Sequence, residues 1–152
     1  MSTLLYQQAN IEICWDDRGW LYVDWIGMQS VQNFRDGCAQ ILQLLQVKNA
    51  DSVLNDNTRQ EGTWIMAAEW AGRAWFPTMI RAGLKRFAWV QSTSRLIQMC
   101  VEETLKFASP GVAQVFSTRE EAEAWLLWEV SLAAKRKTGR ILLPPRTPDA
   151  PG

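Results

Sequence analysis

The side chains able to do chemistry gather at two polar elbows. Asn55, Asp56, Asn57 and Thr58 follow an apolar run at 52–54. Gln91, Ser92, Thr93 and Ser94 follow a second run at 87–90, with Arg95 next. A carboxylate at Asp56 or Glu61 and the Arg95 guanidinium could do acid–base and anion work, and Thr58, Ser92 and Ser94 add hydroxyls. The partners that would activate them are missing. The chain has no histidine, and its cysteines, Cys14, Cys38 and Cys100, stand far apart. That removes the usual base and the usual zinc ligands. There is also no glycine-rich phosphate loop. No catalytic residue, metal or cofactor is expected, and the elbows are read as a surface for a partner or ligand. A turn that satisfies its own backbone explains Asn55 to Thr58 equally well.

The elements that position these elbows follow from pattern. Short apolar runs bounded by turn signals suit strands buried on both faces of a parallel sheet. In such a sheet both elbows lie at the carboxyl edge of the strands, where α/β folds place their sites. Between the runs, a helix is expected from Thr63. Trp64, Ala68, Ala71 and Trp75 make one face, and Pro77 stops or kinks it. Ile65, Met66, Trp70 and Phe76 widen the apolar surface beyond that face. At 100° per residue Trp70 is turned about 140° from Trp75, so the three tryptophans cannot share one side. The sequence therefore predicts an exposed Trp70 beside Met66 and Phe76.

Upstream, Ile11, Ile13 and Trp15, then Leu21, Val23 and Trp25, alternate with polar residues around Asp16, Asp17, Arg18 and Gly19. This is an antiparallel hairpin, with residues 4–7 leading into it. Val31, Phe34, Cys38, Ile41 and Leu45 mark a helix opened at Gln29 or Ser30 and closed at Asn49. Downstream come a helix from Ser94, a strand at 112–116, and a helix opened by a Ser117 to Glu120 capping box. The expected fold is α/β, in the order ββαβαβαβα: a mixed five-stranded sheet with an N-terminal antiparallel hairpin and about four helices. A single domain spans 1–140, and an irregular Pro-rich tail spans 141–152.

Sixteen basic residues balance sixteen acidic ones, which argues against a nucleic-acid surface. No run reaches the ~20 apolar residues of a spanning helix, and no signal peptide opens the chain, so stable membrane insertion is not expected and cytoplasmic residence is. Nine tryptophans are hard to bury in one small domain.

The element order, with L-N-D-N-T, G-T-W, E-W, F-P, G-L-K-R-F-A-W-V and a final E-A-x-x-W-L, resembles the SpoIIAA-like family of STAS-type domains, related to anti-anti-sigma factors. The resemblance covers about residues 4–130 and implies a four- or five-stranded sheet with helices around it and no catalysis. Family members that switch by phosphorylation carry a serine in a D-S-[ST]-G elbow, whose helix end docks the partner. The matching elbow here has no such sequence, and Thr58 is its nearest hydroxyl. The reading is a non-enzymatic regulatory or protein-interaction domain that binds a protein partner or itself as a homodimer. The alternative is a carrier or sensor of an apolar small molecule or lipid, lined by tryptophans. The surface assigned to either role comprises Asn55, Asp56, Asn57, Thr58, Trp64, Trp70, Trp75, Ser92, Ser94 and Arg95.

Overall fold

In a computed structural model, which describes residues 1–137, the elements form one mixed sheet between two helical layers. The Pro-rich tail expected at 141–152, and the end of the domain expected at 140, lie outside the described residues. The strands are β1 (Ser2–Gln8), β2 (Ile11–Asp16), β3 (Trp20–Trp25), β4 (Gly27–Gln29), β5 (Ser52–Asp56), β6 (Gln60–Gly62), β7 (Arg86–Val90) and β8 (Ala113–Phe116). The helices are α1 (Val31–Val47), α2 (Ile65–Trp70), α3 (Phe76–Arg81), α4 (Arg95–Phe107) and α5 (Arg119–Lys137). The main sheet has six strands in the order β1-β2-β3-β5-β7-β8. The opening hairpin pairs antiparallel, and β3, β5, β7 and β8 run parallel.

Two features add to the expected arrangement. The segment leading into the hairpin is a full edge strand, β1, paired with β2 through a register shift between Leu4 and Tyr6. And the chain does not pass from the first elbow straight into a helix. It first forms β6, which pairs in parallel with β4.

Strand alternation sends Val53, Phe87 and Trp89 to the layer of α1 to α4, and Leu54, Ala88 and Val90 to α5. The first core is much the larger. On the other side α5 buries only Ala122 and Leu126. Helix α1 is capped as its sequence directs. Ser30 accepts a hydrogen bond from the Asn33 N–H at 3.0 Å, and Asn49 takes φ 51° just beyond the C-terminus. For α5 the cap is shifted by one residue. Thr118, not Ser117, accepts from the Glu121 N–H at 3.2 Å.

The central helix starts at Ile65 rather than Thr63, and Pro77 neither stops nor breaks it. Residues Ala71–Trp75 form a π-helical turn between α2 and α3, in which the Phe76 N–H reaches back five residues to the Ala71 carbonyl. Pro77 has no N–H to give, and its ring would crowd the carbonyl four residues before it. A widened turn ahead of it absorbs both problems. Gly72 sits in this turn, pressed against the end of α4. A Cβ there would lie 2.5 Å from the Thr104 carbonyl oxygen and 2.7 Å from Phe107 Cβ.

Candidate functional site

The structure brings both elbows to the carboxyl edge of β5 and β7, and the Asn57 N–H donates to the Val90 carbonyl at 3.0 Å. It also divides them. Because side chains alternate along a strand, Asn55 turns toward the helical layer and Asp56 toward α5. Neighbours in sequence thus belong to two different sites.

On the helix side, Asn55 Oδ1 accepts from Trp25 Nε1 at 2.8 Å, and its Nδ2 donates to Asn57 Oδ1 at 3.1 Å. Trp64 Nε1 donates to Gln60 Oε1 at 3.1 Å, and Trp75 Nε1 to the Cys38 carbonyl at 2.8 Å. Phe34 stacks on Trp64 with centroids 4.0 Å apart, and Trp64 lies parallel to Trp89 at 6.3 Å. These rings and the two asparagines enclose a void of about 10 Å³. That is room for one water at most, far below the ~300 Å³ at which small-molecule sites begin. As folded, the tryptophan cage is a packed core. Trp64 and Trp75, expected on a surface, are buried in it, as are Asn55 and Asn57. Burial pushes the Cys38 thiol well above its ordinary value, so this cysteine is inert.

On the α5 side, Asp56 accepts from the Tyr22 hydroxyl at 2.7 Å and from the Thr58 N–H at 2.9 Å. The Arg119 guanidinium lies 3.9 Å from the centre of the Tyr22 ring. Burial, then the hydrogen bond to Asp56, raises the Tyr22 phenol far above its usual value, so it stays protonated. Asp24 is held by Arg59. Asp56 and Asp24 thus have partners of their own, the hydroxyl beside Asp56 being the protonated Tyr22 phenol, whereas Glu61 is exposed with no partner among the described residues.

The second elbow is likewise occupied by its own backbone. Ser92 Oγ accepts from the Ser94 N–H at 2.9 Å, Ser94 caps α4 without a side-chain bond, and Arg95 pairs in the open with Glu102 at 2.8 Å. Thr58 is exposed. Trp70 does not protrude. It is half-buried against the core with the Arg35 guanidinium 4.5 Å above its ring, and Phe76 beside it is fully buried. The π turn rotates Phe76 inward, which a uniform 100° step does not anticipate. Among the described residues no cluster of three or more His, Cys, Asp or Glu is placed to hold a metal ion, and no helix is long and apolar enough to cross a membrane.

What the sequence did not single out is an apolar rim. Helices α2 and α4 both begin at the carboxyl edge and pack together, Thr63 Oγ1 lying 3.5 Å from Cys100 Sγ. Around this junction Met66 is 84% exposed, Leu96 58% and Met99 46%, with Ile65 also open. Met28 of β4, 68% exposed, lies beside the segment leading into α2, its Cε 3.4 Å from where a Cβ on Gly62 would sit. The signal was present: Ile65 and Met66 fall outside the face made by Trp64, Ala68, Ala71 and Trp75. Leu96 reads as core by composition, but the helix turns it outward.

Neither a protein-family model nor a curated protein matches the chain. The chain is similar to one solved SpoIIAA-like structure. That structure is of an uncharacterised protein of the DUF3478 family from Shewanella loihica PV-4, described as having a SpoIIAA-like fold. The two are 19% identical, with 83% of this chain and 95% of that one covered and a TM-score of 0.46.

Proposed function

We propose that this chain is a non-enzymatic interaction domain, of the STAS-like kind its sequence resembles, which meets a protein partner in the cytoplasm with the carboxyl edge of its sheet. The observation that carries this reading is the rim of Met28, Ile65, Met66, Leu96 and Met99. A contiguous exposed apolar patch is costly on a free domain and is the usual mark of an interface. Methionine suits the role because its unbranched, polarizable side chain adapts to a partner's surface. Asn55, Asp56, Asp24 and Ser92 at the same edge fit a structural rather than a chemical role, because each is tied to a neighbour within the domain. The carrier alternative gains no support from the tryptophan cage, which has no room for a ligand.

Photo-crosslinking tests the proposal. A crosslinking residue at Met66 is compared with one at Val47, which is exposed at the opposite end of α1. The expected result, in cells that make the protein, is a discrete adduct from position 66 that is absent from position 47 and lost on Leu96→Glu. Equal labelling from both positions, or no adduct at 66, would remove the rim as the partner surface.

A further inference from the structure

We propose that the groove between α1 and the central helix binds a short acidic helix of a partner protein, one that carries an aliphatic side chain between two carboxylates. Ala39 and Leu42 line one wall, Trp70, Ala74, Trp75 and Thr78 line the other, and the volume is about 180 Å³. That is below the ~300 Å³ at which small-molecule sites begin, but it accommodates one Leu or Ile side chain. Ala39 and Ala74 are small and exposed, so no large side chain stands between a docking helix and the floor. Each end carries a cation held in place. The Arg35 guanidinium lies 4.5 Å from the centre of the Trp70 ring, and Arg81 donates to Thr78 Oγ1 at 3.0 Å. Among the described residues neither guanidinium meets a carboxylate. The only acids on these two helices are engaged elsewhere. Asp36 accepts from Gln32 Nε2 at 2.8 Å, and Glu69 pairs with Arg73 at 2.8 Å. A guanidinium fixed by an indole or a hydroxyl, with N–H groups to spare, is preorganised for a carboxylate, which it binds through paired hydrogen bonds. Tryptophan and arginine are also enriched at binding hot spots.

The spacing of the cations sets the partner. From Trp70 to Thr78 is eight residues of helix, a rise of about 12 Å. Carboxylates at i and i+7 of a docked helix are about 10.5 Å apart along its axis and share one face, so one reaches each arginine. An aliphatic residue at i+3 or i+4 lies on that face between them and enters the groove. A single small anion does not span both arginines. A nucleic acid is a poor occupant, because the chain has no net positive charge and the lining between the arginines is mostly apolar. Ala74 faces the groove, whereas Gly72 meets α4, which carries Leu96 and Met99. The groove is thus on the α1 side of the central helix, and the inference does not rest on the rim having a partner.

Fluorescence anisotropy on the full chain is the test, with a labelled alanine-based helical peptide bearing Glu at i and i+7 and Leu at i+4. Two control peptides replace both Glu by Lys, or the Leu by Ser. The Glu peptide is expected to saturate the protein below about 1 mM and to be released by salt, and neither control peptide to bind. Arg35→Glu and Arg81→Glu should each weaken binding at least about tenfold, and the double variant should bind the Lys peptide instead. Ala74→Trp, which fills the groove, should abolish binding, and Leu96→Glu should leave it unaltered. Far-UV circular dichroism checks that each variant is folded. Equal binding of the Lys peptide by the wild type, indifference to Ala74→Trp, or loss on Leu96→Glu overturns the proposal. So does a protein that leaves the Glu peptide free at about 1 mM. Cosedimentation with phosphatidylglycerol vesicles that both arginine variants abolish, with no peptide bound, assigns the cations to a membrane and likewise overturns it.

Discussion

Gly72 offers a test in which local propensity and tertiary packing predict opposite signs. It lies inside the continuous helical stretch formed by α2, the π turn and α3, where replacing glycine by alanine ordinarily adds about 1 kcal/mol of stability. Packing argues the reverse. The alanine Cβ would sit 2.5 Å from the Thr104 carbonyl oxygen, 0.9 Å inside the 3.4 Å at which ordinary contact begins. It would also lie 2.7 Å from Phe107 Cβ and 3.2 Å from the Ala108 nitrogen. Two of these three atoms are backbone of α4 and its C-terminal cap, so no rotamer change relieves the clash. Overpacking of this kind costs up to about 3 kcal/mol. Subtracting the propensity gain leaves a net loss of about 2 kcal/mol, or a fall in Tm of about 4–8 °C for a chain of this size. Ala74→Gly, at an exposed position of the same turn, should cost no more than about 1 kcal/mol. Urea and thermal melts of both variants read the order directly. If Gly72→Ala matches or exceeds the wild type in stability, the close approach of the central helix to α4 is wrong. The spacing of Met66 from Leu96 and Met99 across the rim would be wrong with it.

The remaining expectations concern the tryptophan core and the acid limb. Trp89→Ala, which removes a buried ring from β7, should cost about 3–5 kcal/mol in a urea melt. Trp89→Phe should cost far less, because Trp89 Nε1 has no hydrogen-bond partner. Trp25→Phe should cost about 1–3 kcal/mol more than Trp89→Phe, because it strands the buried Asn55 Oδ1 that Trp25 Nε1 now satisfies. The hydrogen bonds from Arg18 hold the Asp16 carboxyl below its ordinary value. A carboxylate depressed in the folded state adds stability that is fully present above its unfolded pKa, near 3.9, and is lost as pH falls through the folded value. Asp16→Asn should therefore lower stability by a constant amount above about pH 5 and flatten the further loss below about pH 4, so that the two curves converge in acid. A variant whose acid limb is as steep as the wild type's would separate Asp16 from that loss.

The sequence alone determined the kinds of element and their order. Ile11 and Ile13, then Leu21 and Val23, alternate at the period of a one-sided strand. Val31, Phe34, Cys38, Ile41 and Leu45 recur at the period of a helix. These are properties of neighbouring residues, and the backbone geometry that reads them is local. The lack of histidine was legible for the same reason, because a missing residue type is missing wherever the chain goes. Facing was not legible. Asn55 and Asp56 are adjacent and alike in polarity, yet one caps the tryptophan core and the other receives the Tyr22 hydroxyl, because a strand sends successive side chains to opposite layers. The sheet order that makes those layers different is set by pairing between distant segments. Trp70 shows the second limit. A uniform helical step put it and Phe76 outside, but the widened turn ahead of Pro77 changes the angle between them. Arg35, on a different helix far back in the sequence, then lies over the Trp70 indole. The rim at Met66 and Leu96 exists only because α2 and α4 start at the same sheet edge. Which apolar residues are left over after a core is packed is a property of the whole packing, and no window along the chain contains it.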